Sequence, residues 1–378
     1  MQSSLSTLSG VLCVASMLSM SLASLVEKSC INYTIQVTPT SLNHIFNKPF
    51  QNNYEVVDFF TNANSRGAAA ANFTPFSGAV VQTATYEIAA TFCSPAAPGH
   101  ANSTVIVATH GLAFDKSYWD PTISPEKYSF VDFAVARGYS VFTYDRLGVG
   151  KSSSVSGFLN QASIQVAILQ ELATAVKSGN YTGAVGVPKS LVLIGHSFGS
   201  VLTAAAITAS PALADGVILT GFSYNGTNGA WLETLQPRIA TAESEKWNHL
   251  DSGYLVAADP FSSINVFLKA PDYTADVANY AWVNRVPFAI SEGVSGDLVN
   301  TTATDFRGAA MILSGQFDYI FCSGDCDTVI ENPAAAIFAK AKAFKAVSYP
   351  GSGHGLNLAT NATGSFEIIT DFLGSNGL

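Results

Sequence analysis

The stretch LVLIGHSFGS, residues 191–200, sets an uninterrupted apolar run against a serine held between two glycines. Four consecutive Leu, Val and Ile residues suit a strand buried on both faces. A chain leaving such a strand through Gly195-His196-Ser197-Phe198-Gly199 has to bend sharply, and the two glycines carry no side chains to clash across the bend. The spacing G-x-S-x-G therefore predicts a strand–turn–helix with Ser197 on the bend and its hydroxyl presented as a nucleophile. The bare pattern arises by chance in about one chain in five of this size, so its meaning is set by the rest of the chain.

Around this run, short apolar segments alternate with helical ones. Strands are expected at 104–109, 140–144, 191–194 and 217–220, and helices at 128–136, 161–176 and 200–209. In the second helix Ile164, Ile168, Leu172 and Val176 fall on one face at i, i+4 spacing. The alternation resumes with strands at 310–313 and 346–349 and helices at 333–344 and 366–372. Strands alternating with helices imply an α/β fold, a mostly parallel, doubly wound sheet covered on both faces. Ahead of it, 33–37, 54–60 and 80–92 read as strands. Residues 222–306 break the alternation and are rich in aromatics, among them Trp231, Trp247, Tyr254 and Trp282. Structureless loops of that length are rare in compact domains, so the expectation is a core of 24–221 and 307–378 carrying an inserted cap, 222–306.

Ligands of doubly wound sheets bind beyond the carboxyl ends of the strands, and the residues just past each strand here converge on one chemistry. Ser197 comes after 191–194, on a helix whose N-terminus favours developing negative charge. Pro350-Gly351-Ser352-Gly353-His354-Gly355 comes after 346–349, and a histidine in so glycine-rich a loop can reach the serine as general base, then general acid. Ser314-Gly315-Gln316-Phe317-Asp318 comes after 310–313; Asp318 is nearest the strand end and is assigned as the acid that orients His354, ahead of Asp325 and Asp327. His110-Gly111-Leu112 comes after 104–109 and matches a turn that donates a backbone N–H to an oxyanion. The two donors are assigned to Phe198 and Leu112, with Ala113 as the neighbouring alternative, and His110 itself is read as structural. Gly148-Val149-Gly150-Lys151-Ser152 resembles the end of a phosphate loop, but that pattern needs a glycine where Asp145 stands.

Only 12% of the residues are charged, the net charge is −9, and no basic stripe occurs, which excludes nucleic acid as a partner. Residues 1–26 carry no charged side chain and include an apolar run; Ser21-Leu22-Ala23 suits signal-peptidase cleavage after Ala23, with an uncleaved anchor as the alternative. Seven N-x-[ST] sequons lie beyond it, at Asn32, Asn72, Asn102, Asn180, Asn225, Asn300 and Asn361, and point to a glycosylated, secreted chain with no stable membrane insertion after cleavage. Setting aside Cys13 in the signal, four cysteines remain. Cys322 and Cys326 can close a short loop, which leaves Cys30 for Cys93. No histidine stands at ligand spacing from them, which argues against zinc, and no cofactor is implied.

With Ser197, Asp318 and His354 in that chain order, His110-Gly111, and Asp145-Arg146-Leu147-Gly148-Val149-Gly150-Lys151-Ser152 in the manner of a D-x-x-G-x-G-x-S turn, the chain resembles the α/β-hydrolase superfamily over about 100–221 and 307–378. Its sequon-rich form looks like that of extracellular hydrolases of filamentous fungi. The resemblance implies acyl transfer to water through Ser197, and relatives that open epoxides or remove halides carry Asp at that position. An aromatic cap with few charges suggests a small to medium apolar ester or lactone as substrate. Alternatives are a prolyl-type aminopeptidase, which would need a carboxylate such as Glu233, Glu243 or Asp259 for the substrate amine, an acyltransferase, and a non-catalytic binding protein on the same fold.

Overall fold

Every residue of TVIVAT, Thr104–Thr109, is buried in the structure, a computed structural model that describes residues 27–65, 72–96 and 103–378. The expected signal segment with its cleavage site at Ala23, Cys13, and the sequon at Asn102 lie outside the described residues. The strands in chain order are β1 (Lys28–Val37), β2 (Thr40–Phe46), β3 (Phe76–Thr83), β4 (Tyr86–Pro95), β5 (Thr104–Thr109), β6 (Ser140–Tyr144), β7 (Ser190–His196), β8 (Gly216–Thr220), β9 (Arg238–Ile239), β10 (Tyr254–Val256), β11 (Phe288–Ala289), β12 (Ala309–Gly315) and β13 (Ala343–Tyr349). Eight of them form one sheet in the order β1-β4-β6-β5-β7-β8-β12-β13. From β6 to β13 all pairs are parallel, while β1 and β4 add an antiparallel flank.

Continuous apolar runs are needed because both faces of this sheet are covered. Side chains alternate across a strand, and in β7 Leu191 and Leu193 join one core cluster while Val192 and Ile194 join the other. The same division holds in β5, with Val105 and Val107 against Ile106 and Ala108. The helix Ala162–Lys177 covers the first face with Ile164, Ile168, Leu172 and Val176, all buried as the spacing predicts. Beside it lies Phe198–Ala209, where Ala204, Ala205 and Ala206 keep the helix thin against the sheet. Phe130–Ala136 and Ala362–Ser375 cover the second face.

Four expected elements differ. Residues 54–60 form a helix, Asn53–Ala63, in place of a strand: the Asn52 side chain accepts from Tyr54 N and Glu55 N, and Val56 and Phe60, one turn apart, are the buried pair. Residues 80–92 form two antiparallel elements, β3 and β4, broken at Ala84 and Thr85; β3 pairs with β2 outside the main sheet. The helix expected at 128–136 is interrupted at Ser129, whose hydroxyl accepts from Asp132 N and restarts it. The helix expected at 333–344 stops at Ile337, because Ala343 onward pairs with β12 as the edge strand β13. Tertiary pairing here overrides an alanine-rich local preference.

Between β8 and β12 the chain forms a small antiparallel sheet, β11-β10-β9, and helices that include Pro260–Phe267, Ala275–Val283 and Ile290–Ser295. Among the described residues no helix is long and apolar enough to cross a membrane. Both disulfides are formed, Cys30–Cys93 between β1 and β4 and Cys322–Cys326 within the loop after β12. Cys30–Cys93 spans 63 residues of sequence. Opening so long a loop in the unfolded state predicts that C30S/C93S lowers the unfolding free energy by about 2–4 kcal/mol, measured by urea denaturation.

Candidate active site

The ends of β5, β7, β8, β12 and β13 lie side by side because their pairing is parallel and in register, with Thr109 opposite Gly195, His196 opposite Thr220, Thr220 opposite Leu313, and Gly315 opposite Tyr349. Ser197 comes directly after β7 and caps the Phe198–Ala209 helix with φ 56° and ψ −122°, a left-handed backbone that a serine does not adopt without support. Support comes from the bond of Ser197 N to the Thr220 carbonyl at 2.9 Å and from the tightness of the turn. A side chain at Gly199 would drive into the Thr109 carbonyl, so only glycine lets the helix start this close to β5.

The loops after β12 and β13 are sewn together. Gln316 N donates to Tyr349 O at 2.8 Å, Phe317 N to Ser352 O at 2.9 Å, and Gly351 N to Gln316 Oε1 at 3.0 Å. Gly315 presses on the Gly353 carbonyl so closely that a Cβ would not fit. This brings Asp318 Oδ2 to 2.7 Å from His354 Nδ1, both side chains fully buried. The other oxygen, Oδ1, accepts from Ile320 N and Phe321 N at 2.9 Å each, which fixes the carboxylate plane. Asp325 and Asp327 serve elsewhere: Asp325 accepts from Asp327 N, and Asp327 bonds Ser348 and Gln316.

With Nδ1–H given to Asp318, Nε2 is the ring nitrogen of His354 turned away from the carboxylate. That atom is buried and has no hydrogen-bond partner among the described residues, Ser197 Oγ included. Its ring lies 4.9 Å from His196, the residue before Ser197, and 5.9 and 6.0 Å from Phe267 and Phe321. Phe267 and Phe321 line a cavity of about 320 Å³ together with Ser197, Phe198 and Leu112. Leu112 lines the cavity and Ala113 does not. The remaining wall is mostly apolar, with Phe222, Tyr224 and Trp231, plus the carboxylates Glu292 and Asp297. Glu233, Glu243 and Asp259 are not on it.

Two further histidines are buried near the site. His110 Nδ1 donates to Gly111 O at 2.9 Å and its Nε2 accepts from Arg146 N at 3.1 Å, a structural role as expected. Burial, and then the Arg146 charge, hold its imidazole well below the usual range. Sequence reasoning passed over His196, which stacks on Tyr118 at 4.2 Å and bonds the Thr220 hydroxyl through Nδ1 at 3.2 Å. Burial, then the neighbouring His354 and His110, push it down too. It also missed Arg146 and Glu292, a fully buried ion pair joining the Asp145–Ser152 turn to the Ile290–Ser295 helix. The turn itself is no phosphate site: the Asp145 carboxylate occupies its centre, accepting from Lys116 N, Lys116 Nζ and Lys151 N.

Fold and site together define a hydrolase of the α/β class. The chain belongs to the alpha/beta hydrolase family, whose profile matches residues 105–363. Similar solved structures include the enol-lactonase of Burkholderia xenovorans, 17% identical, covering 76% of this chain and 97% of that one with a TM-score of 0.50. A hydrolase of Pseudomonas aeruginosa is 14% identical, covering 76% and 95% with a TM-score of 0.52. At these identities the likeness is one of fold. No curated protein matches the sequence.

His110 and His196 remain neutral in the folded protein and protonate from about pH 6.5 once unfolded. Stability from this source is therefore present above pH 6.5 and lost as the pH falls below it. Together they are expected to lower the unfolding free energy as the pH falls from 7.5 to 5.5, read from urea titrations at the two pH values.

Proposed function

We propose that the chain hydrolyses carboxylic esters or lactones through an acyl-enzyme on Ser197. The observation that carries this reading is the 2.7 Å bond from Asp318 to His354, with an unpartnered Nε2 beside the cavity that Ser197 lines. In this mechanism His354 Nε2 takes the proton as Ser197 Oγ attacks the carbonyl, and Asp318 holds the ring and stabilises the imidazolium. The tetrahedral oxygen draws on Phe198 N–H and Leu112 N–H, neither of which has an acceptor among the described residues. His354 then returns the proton to the leaving alkoxide. Water repeats the sequence on the acyl-enzyme and frees Ser197.

A cavity of about 320 Å³ with an aromatic wall suits a small to medium apolar acyl or alcohol group. A prolyl-type aminopeptidase reading is less well supported, since the three carboxylates considered for an amine lie off the cavity and Glu292, which lies on it, is engaged by Arg146, so that Asp297 is the carboxylate left on the wall for a substrate amine. An acyltransferase would use the same residues with an alcohol in place of water. The 222–306 segment serves as the cap, supplying Phe222, Trp231 and Phe267 to the cavity. Secretion and glycosylation belong to the same proposal: Asn32, Asn72, Asn180, Asn225, Asn300 and Asn361 are all exposed, and glycans there would supply polarity to a surface with few charges.

Wild-type protein is expected to be labelled by a fluorophosphonate probe and Ser197→Ala is not; absence of labelling in the wild type would favour a binding protein. On p-nitrophenyl butyrate, Ser197→Ala or His354→Ala is expected to lower kcat by about 10⁴- to 10⁶-fold. A loss under tenfold in either contradicts the roles, and faster turnover of proline p-nitroanilide than of the ester overturns the substrate class.

A further inference from the structure

Arg146 is buried completely and touches three parts of the site. Its Nη2 donates to Gly111 O at 3.3 Å, its Nη1 donates to Glu292 Oε1, and its guanidinium carbon lies 5.0 Å from the centre of the Phe198 ring. Gly111 O and Leu112 N–H belong to one peptide group. In a planar trans peptide the C=O and N–H point in opposite directions, so whatever holds the oxygen also aims the N–H. His110 Nδ1 holds that oxygen from a second direction at 2.9 Å. Two donors on the carbonyl, one of them charged, polarise the peptide and strengthen its N–H as a donor.

At the other end, Glu292 is equally buried and is itself held, by Gln165 Nε2 at 2.8 Å on Oε1 and by Ala289 N at 3.4 Å on Oε2. It sits on the Ile290–Ser295 helix and lines the cavity. That helix is tied to the core by Ser291 Oγ to Phe158 O and by Ala162 N to Ser295 Oγ, both 2.9 Å. We propose that Arg146 is a positioning residue for the oxyanion hole and that Glu292 sets its place, so that the 222–306 segment fixes the aim of Leu112 N–H through Glu292, Arg146 and the Gly111 carbonyl. This rests on the serine-hydrolase reading above. Arginine is required because a planar fork can hold two acceptors in fixed directions, whereas a lysine ammonium is a single point charge. A buried ion pair adds little net stability compared with an apolar pair, so what this one supplies is direction.

The test compares wild type with R146K and E292Q on p-nitrophenyl butyrate, recording kcat and KM from pH 5 to 9 and the thermal midpoint of each. Removing an oxyanion donor outright lowers kcat by about 10²- to 10³-fold. A misaimed donor in R146K is expected to cost about 10- to 100-fold in kcat, with KM within threefold of wild type and an unchanged midpoint in the pH–rate profile. E292Q, which keeps an acceptor for Arg146 but loses the charge, is expected to fall between wild type and R146K. A folded R146K with wild-type kcat overturns the proposal, as does a loss that appears only at temperatures where the variant unfolds. Should R146K fail to fold, E292Q decides in the same way, with unchanged kcat overturning the proposal. Failure of the wild type itself to turn over the ester would instead strike the hydrolase reading, so the two outcomes are distinct.

Discussion

Parallel pairing in register is the constraint on which the site depends. Four strand ends, β5, β7, β12 and β13, finish at one edge of the sheet, so residues 112, 197, 318 and 354 become neighbours although up to about 240 positions separate them in the chain. The hydrogen bonds of the ladder do not care which side chains come next. The loops beyond them do, and each is short enough that its first few residues have little freedom. Reactive groups are thereby held by backbone rather than by their own packing alone.

Burial raises the stakes of every polar group placed there. Asp318 has both oxygens occupied, His110 both nitrogens, and Arg146 is paired with Glu292. Against this background the exceptions stand out. Among the described residues His354 Nε2 and His196 Nε2 are buried without partners, as are Arg146 Nε and Gln165 Oε1. The first is the atom that proton transfer from Ser197 would require, and the second faces an environment that keeps its ring uncharged.

Much of this was legible in the chain because it rests on local chemistry. The Ser197 bend, the Gly-flanked His354, Asp318 at a strand end and the Cys322–Cys326 loop each carry a short-range signature, and Cys30–Cys93 is what that short loop leaves over. Where the reading went astray, the deciding information lay elsewhere. Residues 54–60 have the aromatic and β-branched content of a strand, yet Asn52 two residues earlier is a helix cap, and Val56 with Phe60 keeps helical spacing; those two signals were present and outweighed. The strand at Ala343–Tyr349 starts inside an alanine-rich run because an open sheet edge awaits it, which no local pattern reports. Arg146 and Glu292 are 146 positions apart, and nothing in either neighbourhood announces the other. Long-range pairs between single side chains are the part of a site that a lone sequence conceals most completely.

The interlocked loops after β12 and β13 have a mechanical corollary. Since Gly315 and Gly353 meet backbone to backbone, the loops that carry Asp318 and His354 leave no room for a side chain between them. Another stretch of the cavity wall is less crowded. There Gly293 and Gly296 face the void, and a methyl added at either would come no nearer than 3.7 Å to its neighbours. The enclosure is thus tight behind Asp318 and His354 and open to added bulk at positions 293 and 296.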